Sequence, residues 1–203
     1  MNVPANFDTL FNKNRIMVVL RGCPAREAVR LAKRAWDIGI ELVEVPLGDP
    51  SQLQALEAVV AIAADRHKAV GAGTVISRDR IDDAGVAGAR YTVAPGYDPD
   101  VLAASLSAGL PHLPGVATPT QVQDAYRAGC TWVKVFPASS LGPGWVAALR
   151  GPFPDVRQVV TGGVSIDAAR DYLAAGAQMV AFGVHVLDQV DHLSDLVHDA
   201  RAL

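Results

Sequence analysis

Five times along the chain, a helical stretch ends at a glycine and an apolar run rich in β-forming residues follows within a few positions. The phrases read DIGIELVEV, VAGARYTV, SAGLPHLPG, RAGCTWVKVF and AAGAQMVAFG, and their glycines are Gly39, Gly88, Gly109, Gly129 and Gly176. Two of the intervals between these glycines are about 20 residues long, and the other two are about twice that length. One strand, one helix and their loops occupy roughly 20 to 25 residues. The chain is therefore predicted to repeat a βα unit whose helix ends at a C-cap glycine.

Three further apolar runs bring the predicted strands to eight. They are IMVVL at 16–20, KAVGAG at 68–73 and VRQVV at 156–160. Helical patterns separate all eight runs, with Pro24 in a first turn and Thr118 and Ser165 as candidate N-caps. Eight βα units that close on themselves form a (β/α)8 TIM barrel, an α/β fold for which 203 residues is a small size.

The segment before the first strand predicts one more helix. Residues 1–14 carry Phe7, Leu10 and Phe11 at helical spacing, so we expect a short N-terminal helix that covers the barrel floor. Residues 1–203 would then form a single barrel domain. The rival architecture is an open doubly wound sheet that binds a dinucleotide, but GAGTVI at 71–76 lacks the third glycine and the later acidic residue of that motif.

Charge and cysteine content restrict the class of partner. The net charge of -3, without a block of Lys and Arg, disfavours nucleic acid and anionic membranes as partners. Neither a signal-peptide pattern nor an apolar run long enough for a membrane helix occurs in the sequence. Cys23 and Cys130 are too far apart in sequence for a CxxC pair. We expect a cytoplasmic protein with reduced thiols and a small-molecule partner.

Two ionisable residues fall near the carboxyl ends of predicted strands, where barrel enzymes place their active sites. Strand alternation in ELVEVPLGDP separates Glu44 from its valine neighbours, and alternation in TWVKVFPASS does the same for Lys134. Because the valines suit packing against outer helices, Glu44 and Lys134 are predicted to point into the barrel. They lie on the second and sixth predicted strands, which stand opposite each other.

This pair permits two interpretations. A lysine among apolar neighbours loses hydration, which favours the neutral, nucleophilic amine. Glu44 would then carry the protons needed to form and collapse a carbinolamine. Alternatively, Glu44 and Lys134 form a buried ion pair with no catalytic task. The residues alone leave both interpretations open.

An anion site is predicted independently of that pair. In TGGVS at 161–165, the amides of Gly162 and Gly163 and a following helix N-terminus would form a pocket for phosphate. The last strand ends in AFGVHVL, where Gly183 and Val184 can add N–H donors. Loops after the seventh and eighth strands are the usual phosphate site of a barrel. The alternative is that both glycine clusters are tight turns only.

Other strand ends offer single candidates. Arg21 would clamp a substrate carboxylate, or lie at the surface. Thr74 would hydrogen-bond the same carboxylate, or cap the following turn. Pro95, a further candidate substrate contact, follows the fourth strand and would rigidify the rim. The five histidines show no metal-site spacing, so we expect neither metal nor cofactor.

These motifs, in this order, resemble those of the bacterial KDPG/KHG aldolase family, the class I aldolases of 2-keto-3-deoxy-6-phosphogluconate and its relatives. The matching phrases, from about residue 15 to 190, are VVLRG, LVEVPL, VGAGTV, APG, LPGVATPTQ, WVKVFPA, GPFPDVR and TGGVS. The resemblance implies that Lys134 forms a Schiff base, that Glu44 is the acid/base, and that the protein is a homotrimer. It further implies keto acid binding near Arg21, Thr74 and Phe136, and phosphate binding around Thr161, Gly162, Gly163, Gly183 and Val184.

Two departures from the family pattern bear on the substrate. Gluconate-type members often have an arginine where this chain has Gly48, and this region is more similar to the galactonate-type members. Val184 stands where a serine is common, so one hydroxyl contact to phosphate is missing. We expect a carbon–carbon lyase that cleaves a 2-keto-3-deoxy-6-phospho sugar acid, of galactonate or gluconate type, to pyruvate and glyceraldehyde 3-phosphate. The alternatives are a sugar-phosphate isomerase or epimerase, and a non-catalytic phosphosugar-binding barrel.

Overall fold

Strands and helices alternate along the chain in the computed structural model, which describes residues 6–11 and 14–202. The strands are β1 (Ile16–Val19), β2 (Leu42–Pro46), β3 (Val70–Gly73), β4 (Tyr91–Val93), β5 (His112–Leu113), β6 (Gly115–Val116), β7 (Trp132–Val135), β8 (Arg157–Thr161) and β9 (Met179–Gly183). The helices are α1 (Phe7–Phe11), α2 (Ala25–Asp37), α3 (Ser51–Ala64), α4 (Arg78–Val86), α5 (Pro99–Ser107), α6 (Pro119–Arg127), α7 (Ala138–Leu149), α8 (Ile166–Ala174) and α9 (Val190–Ala202). A 3-10 helix spans Val184–Asp188.

The nine strands form one parallel sheet in the order β5-β4-β3-β2-β1-β9-β8-β7-β6. The fifth predicted strand is two short strands, and this corrects the prediction of eight. Pro114 separates β5 from β6 because proline has no N–H to donate to the ladder. Since β5 pairs with β4 and β6 pairs with β7, the two halves together close the barrel. The predicted TIM-barrel fold is confirmed.

The predicted helix ends are confirmed. All five C-cap glycines have positive φ, between 76° and 106°. The Thr118 hydroxyl accepts a hydrogen bond from the backbone N–H of Gln121, and the Ser165 hydroxyl accepts one from the backbone N–H of Ala168. Among the residues described, no helix is long and apolar enough to cross a membrane.

Aromatic side chains fill the amino end of the barrel. Phe11 of α1 is fully buried, with its ring centroid 5.3 Å from that of Tyr91 and 5.2 Å from that of Trp132. Tyr91 and Trp132 begin their strands, so α1 lies against the floor and leaves the carboxyl ends of the strands as the open mouth. Of the predicted helix at 1–14 and domain at 1–203, residues 1–5, 12–13 and 203 lie outside the described residues.

A buried histidine makes the stability of this fold depend on pH. The Nδ1 atom of His112 lies 2.8 Å from the Thr92 hydroxyl, which in turn lies 2.7 Å from the Ser105 hydroxyl. Burial lowers the pKa of His112 from its usual 6.5 to about 4. Between these two values the unfolded chain binds a proton that the folded protein does not. Lowering the pH through this window therefore removes stability.

We expect the wild-type protein to lose about 2–3 kcal/mol more unfolding free energy than His112→Asn when the pH falls from about 7 to about 4.5. Asparagine keeps an N–H donor near Thr92 but does not titrate, while the carboxylates titrate alike in both proteins. Urea unfolding at the two pH values measures the difference. Parallel pH dependences in the two proteins would contradict the assignment.

Candidate active site

Glu44 and Lys134 lie on opposite sides of the barrel. Glu44 is on β2 and Lys134 is on β7, halfway round the strand order from each other. Only 2% of Glu44 and 4% of Lys134 are exposed. The neighbouring valines of both residues belong to the clusters packed beneath the helices, as predicted. The two ionisable side chains therefore occupy the inner face.

The amine of Lys134 lies near an aromatic ring. Its Nζ atom lies 5.2 Å from the ring centroid of Phe136. Among the described residues, five ion pairs form, and none of them includes Lys134 or Glu44. The buried ion pair considered from the sequence is therefore not formed in this structure, and the amine has no hydrogen-bond acceptor within the described part of the chain.

The carboxylate of Glu44 lies over a glycine. A Cβ atom added to Gly73 would lie only 2.7 Å from Cδ and 2.9 Å from Cγ of Glu44. Buried Oε1 of Glu44 accepts no hydrogen bond from any described residue. Tyr91 lies beneath this carboxylate. Its own burial and, to a smaller extent, the negative charge of Glu44 hold the pKa of Tyr91 well above its usual value. Gly73 thus makes room for a buried carboxylate whose Oε1 has no hydrogen-bond donor among the described residues.

The predicted keto-acid contacts differ in how tightly they are held. Thr74 directly follows β3 and has a φ of +57°, a conformation that costs a β-branched residue on the order of 1–3 kcal/mol. Phe136 is half-buried against Lys134. Arg21 is exposed in a turn two residues beyond β1. Pro95 is exposed. Its carbonyl group packs so closely against Gly115 that a side chain at position 115 would collide with this carbonyl.

The two predicted phosphate loops lie side by side because β8 pairs with β9. Thr161 ends β8, and both Gly162 and Gly163 have positive φ, of 94° and 74°. A Cβ atom on Gly162 would lie 2.8 Å from the Phe136 ring. Neither glycine amide donates to another described residue. Gly183 ends β9 and Val184 begins the 3-10 helix beside this loop.

A family model described as KDPG and KHG aldolase matches residues 7–197. The chain belongs to the KDPG and KHG aldolase family. It is 32% identical over 169 residues to the probable 2-dehydro-3-deoxy-6-phosphogalactonate aldolase of Rhizobium meliloti, covering 83% of this chain and 79% of the relative. It is 35% identical over 185 residues to the 2-dehydro-3-deoxy-phosphogluconate aldolase of Pseudomonas aeruginosa, covering 90% and 83%.

Solved structures agree with this KDPG and KHG aldolase membership. A structure described as native KDPGal superimposes with a TM-score of 0.84 at 27% identity, over 93% of this chain and 96% of that one. The Legionella pneumophila KDPG aldolase, solved with pyruvate as a covalent carbinolamine, gives a TM-score of 0.80 at 28% identity, over 95% of each chain. The predicted family and the predicted enzyme class, a carbon–carbon lyase, are confirmed.

Three residues near this candidate site were not predicted from the sequence. Gln52 is buried, accepts a hydrogen bond from the Gly22 amide and donates one to the Cys23 carbonyl, so it orders the turn that carries Arg21. Ser139 places its hydroxyl against Gly163. Arg80 reaches the Thr74 carbonyl from α4. Gln52 and Arg80 act across loops distant in sequence, which periodicity does not reveal; Ser139, within WVKVFPASS, was identifiable by its position after a strand.

No group of three or more His, Cys, Asp and Glu residues within the described ranges is arranged to hold a metal ion. Both cysteines are free thiols, and burial raises the pKa of Cys130 to about 11. A metal-free, cofactor-free reaction stays a prediction.

Proposed function

We propose that this protein is a class I aldolase that cleaves a 2-keto-3-deoxy-6-phospho sugar acid to pyruvate and glyceraldehyde 3-phosphate. The observation that supports it most is a buried amine on β7 and a buried carboxylate on β2 at the mouth of the barrel, neither of which forms an ion pair with another described residue. A lysine amine at this position can attack a ketone as the nucleophile of a Schiff-base reaction.

In the proposed reaction, the Lys134 amine adds to the C2 ketone and forms a carbinolamine. Glu44, after taking up a proton, transfers it to the departing hydroxyl, so that water leaves and an iminium forms. Glu44 next accepts the proton of the C4 hydroxyl, directly or through water. The electrons of the C3–C4 bond flow into the iminium, which gives an enamine and the free aldehyde. Protonation of the enamine at C3 and addition of water then release pyruvate and restore the amine.

We propose that the same pocket orients the substrate from both ends. Thr74, Arg21 and Phe136, with Pro95 at the rim, would face the keto acid. The amides of Gly162 and Gly163, with the chain at Thr161, Gly183 and Val184, would face the phosphate. The amides of Gly162 and Gly163 donate to no other described residue, which supports this assignment because an anion is the ligand that such donors favour.

Borohydride reduction tests the covalent step. With pyruvate, the peptide that contains Lys134 should gain the mass of a carboxyethyl group. The sequence has only three other lysines, Lys13, Lys33 and Lys68, so their peptides serve as internal controls. Either the absence of an adduct or an adduct on another lysine would overturn the proposal.

Substrate choice is tested by pyruvate release from the gluconate and galactonate epimers, each with and without the 6-phosphate. Relatives named for both epimers match this chain, so we propose activity on one or both phosphorylated acids. The isomerase, epimerase and binding-protein alternatives are not favoured, because the named relatives are aldolases.

We also propose that the aldolase is a cytoplasmic homotrimer. The family resemblance supports the trimer, and the apolar residues Ile76, Val86 and Leu106 are each more than half exposed, so a partner copy would cover them. Two free thiols support a reducing compartment. Light scattering after size exclusion measures the mass against 21.3 kDa for one chain, and a monomer would overturn the trimer.

A further inference from the structure

The carbonyl of Thr74 is held by an arginine from another part of the chain. Thr74 has the left-handed φ of +57°, which a β-branched residue avoids unless its surroundings impose it. The backbone is fixed on either side of it: Gly73 accepts from the Leu47 amide at 2.7 Å, and the Val75 amide donates to Val93 at 3.0 Å. The third contact is Arg80, whose Nη1 donates to the Thr74 carbonyl at 2.8 Å.

This arrangement leaves the other polar groups of Thr74 available. Its amide and its hydroxyl donate to no other described residue, and it directly follows Gly73, over which the Glu44 carboxylate lies. With the carbonyl drawn towards α4 by Arg80, the two donors of Thr74 are left for a ligand at the mouth. A carboxylate is the ligand that two such donors favour.

Arg80 has no acidic partner within the described residues. It is half-buried at the third position of α4, and its Nη2 lies 3.5 Å from the Gly48 carbonyl in the loop after β2. Its hydrogen bonds thus reach two carbonyls, one from each of the loops that follow β2 and β3. Hydrogen bonds from a charged guanidinium are stronger than those between neutral groups, so this residue is suited to hold a strained peptide.

We propose that Arg80 is a positioning residue for the carboxylate of the keto acid. It keeps the Thr74 carbonyl turned away from the site and so presents the Thr74 amide and hydroxyl to the substrate. Without Arg80, the strained Thr74 peptide relaxes by rotation, which turns a carbonyl oxygen towards the carboxylate and repels it. The inference rests on the proposed function, because it assumes that a 2-keto acid binds beside Glu44.

The test compares Arg80→Met with Arg78→Met, which removes an exposed arginine of the same helix. The rate of borohydride trapping on Lys134 is measured against pyruvate concentration. We expect the half-saturating pyruvate concentration to rise about 10-fold in Arg80→Met, while the rate at saturation changes less than about 3-fold. Arg78→Met should match the wild-type protein, and Arg80→Lys should recover part of the loss. Thermal unfolding checks that each variant is folded.

A second comparison separates positioning from general structural support. Asparagine adopts a left-handed φ more readily than threonine and keeps a polar side chain. In a Thr74→Asn background, Arg80→Met should therefore raise the half-saturating concentration much less than 10-fold. An unchanged concentration in Arg80→Met, or an equal rise in both backgrounds, would overturn the inference. A wild-type protein that traps no pyruvate would instead overturn the proposed function.

Discussion

Lys134→Met should abolish the pyruvate adduct and lower kcat by at least about 10⁴-fold, without loss of stability. The amine is the group that attacks the ketone in the proposed scheme. It is 96% buried and has no ion-pair partner among the described residues, so the folded protein carries the cost of its desolvation. Methionine has a similar length and no charge. We therefore expect an equal or higher unfolding free energy for the variant in urea.

The matched control is Lys33→Met, on the exposed face of α2. It makes the same substitution at an exposed lysine and should leave kcat, adduct formation and stability close to wild type. Retention of more than about one part in a hundred of kcat by Lys134→Met would show that the amine is not the nucleophile.

Glu44→Gln should lower kcat by about 10² to 10⁴-fold and leave pyruvate binding nearly intact. The amide fits the same space over Gly73 but cannot accept the proton of the C4 hydroxyl. Steady-state kinetics on the preferred substrate give kcat and KM, and single-turnover trapping measures adduct formation. A KM increase with unchanged kcat would show that Glu44 binds substrate and does not transfer protons.

Gly73→Ala provides the matching steric test, because it keeps the carboxylate and moves it. The added methyl group would overlap the Glu44 side chain, since the methyl carbon would stand 2.7 Å from Cδ of Glu44. Displacement of a catalytic group by about 1 Å costs on the order of 10² in rate, so part of the Glu44→Gln loss should appear. A wild-type kcat for Gly73→Ala would mean that the position of the carboxylate is not critical.

Local patterns in the sequence were enough to predict the barrel and the facing pair. The C-cap glycines mark helix ends by backbone conformation, and strand alternation separates Glu44 and Lys134 from their outward valines. Both signals depend only on residues close together in the chain.

Features that depend on contacts between distant segments were not predictable in this way. The break between β5 and β6 at Pro114 depends on whether a neighbouring strand would accept a hydrogen bond from the backbone N–H that proline lacks. The space for the Glu44 side chain depends on Gly73, which β3 places beside it. The left-handed conformation of Thr74 depends on the guanidinium of Arg80, which comes from α4. Threonine alone predicts an extended conformation there, so tertiary contacts override the local preference.

The aromatic floor formed by Phe7, Phe11, Tyr91 and Trp132 has a consequence for the order of product release. Because these described rings fill the amino end, we expect substrate and products to enter and leave through the open mouth at the carboxyl ends of the strands. In the proposed reaction, pyruvate stays covalently bound to Lys134 after bond cleavage, whereas the aldehyde is free, so the aldehyde should leave first. In the synthetic direction, an aldehyde that arrives early obstructs the path to the amine, and a large excess of aldehyde therefore slows condensation.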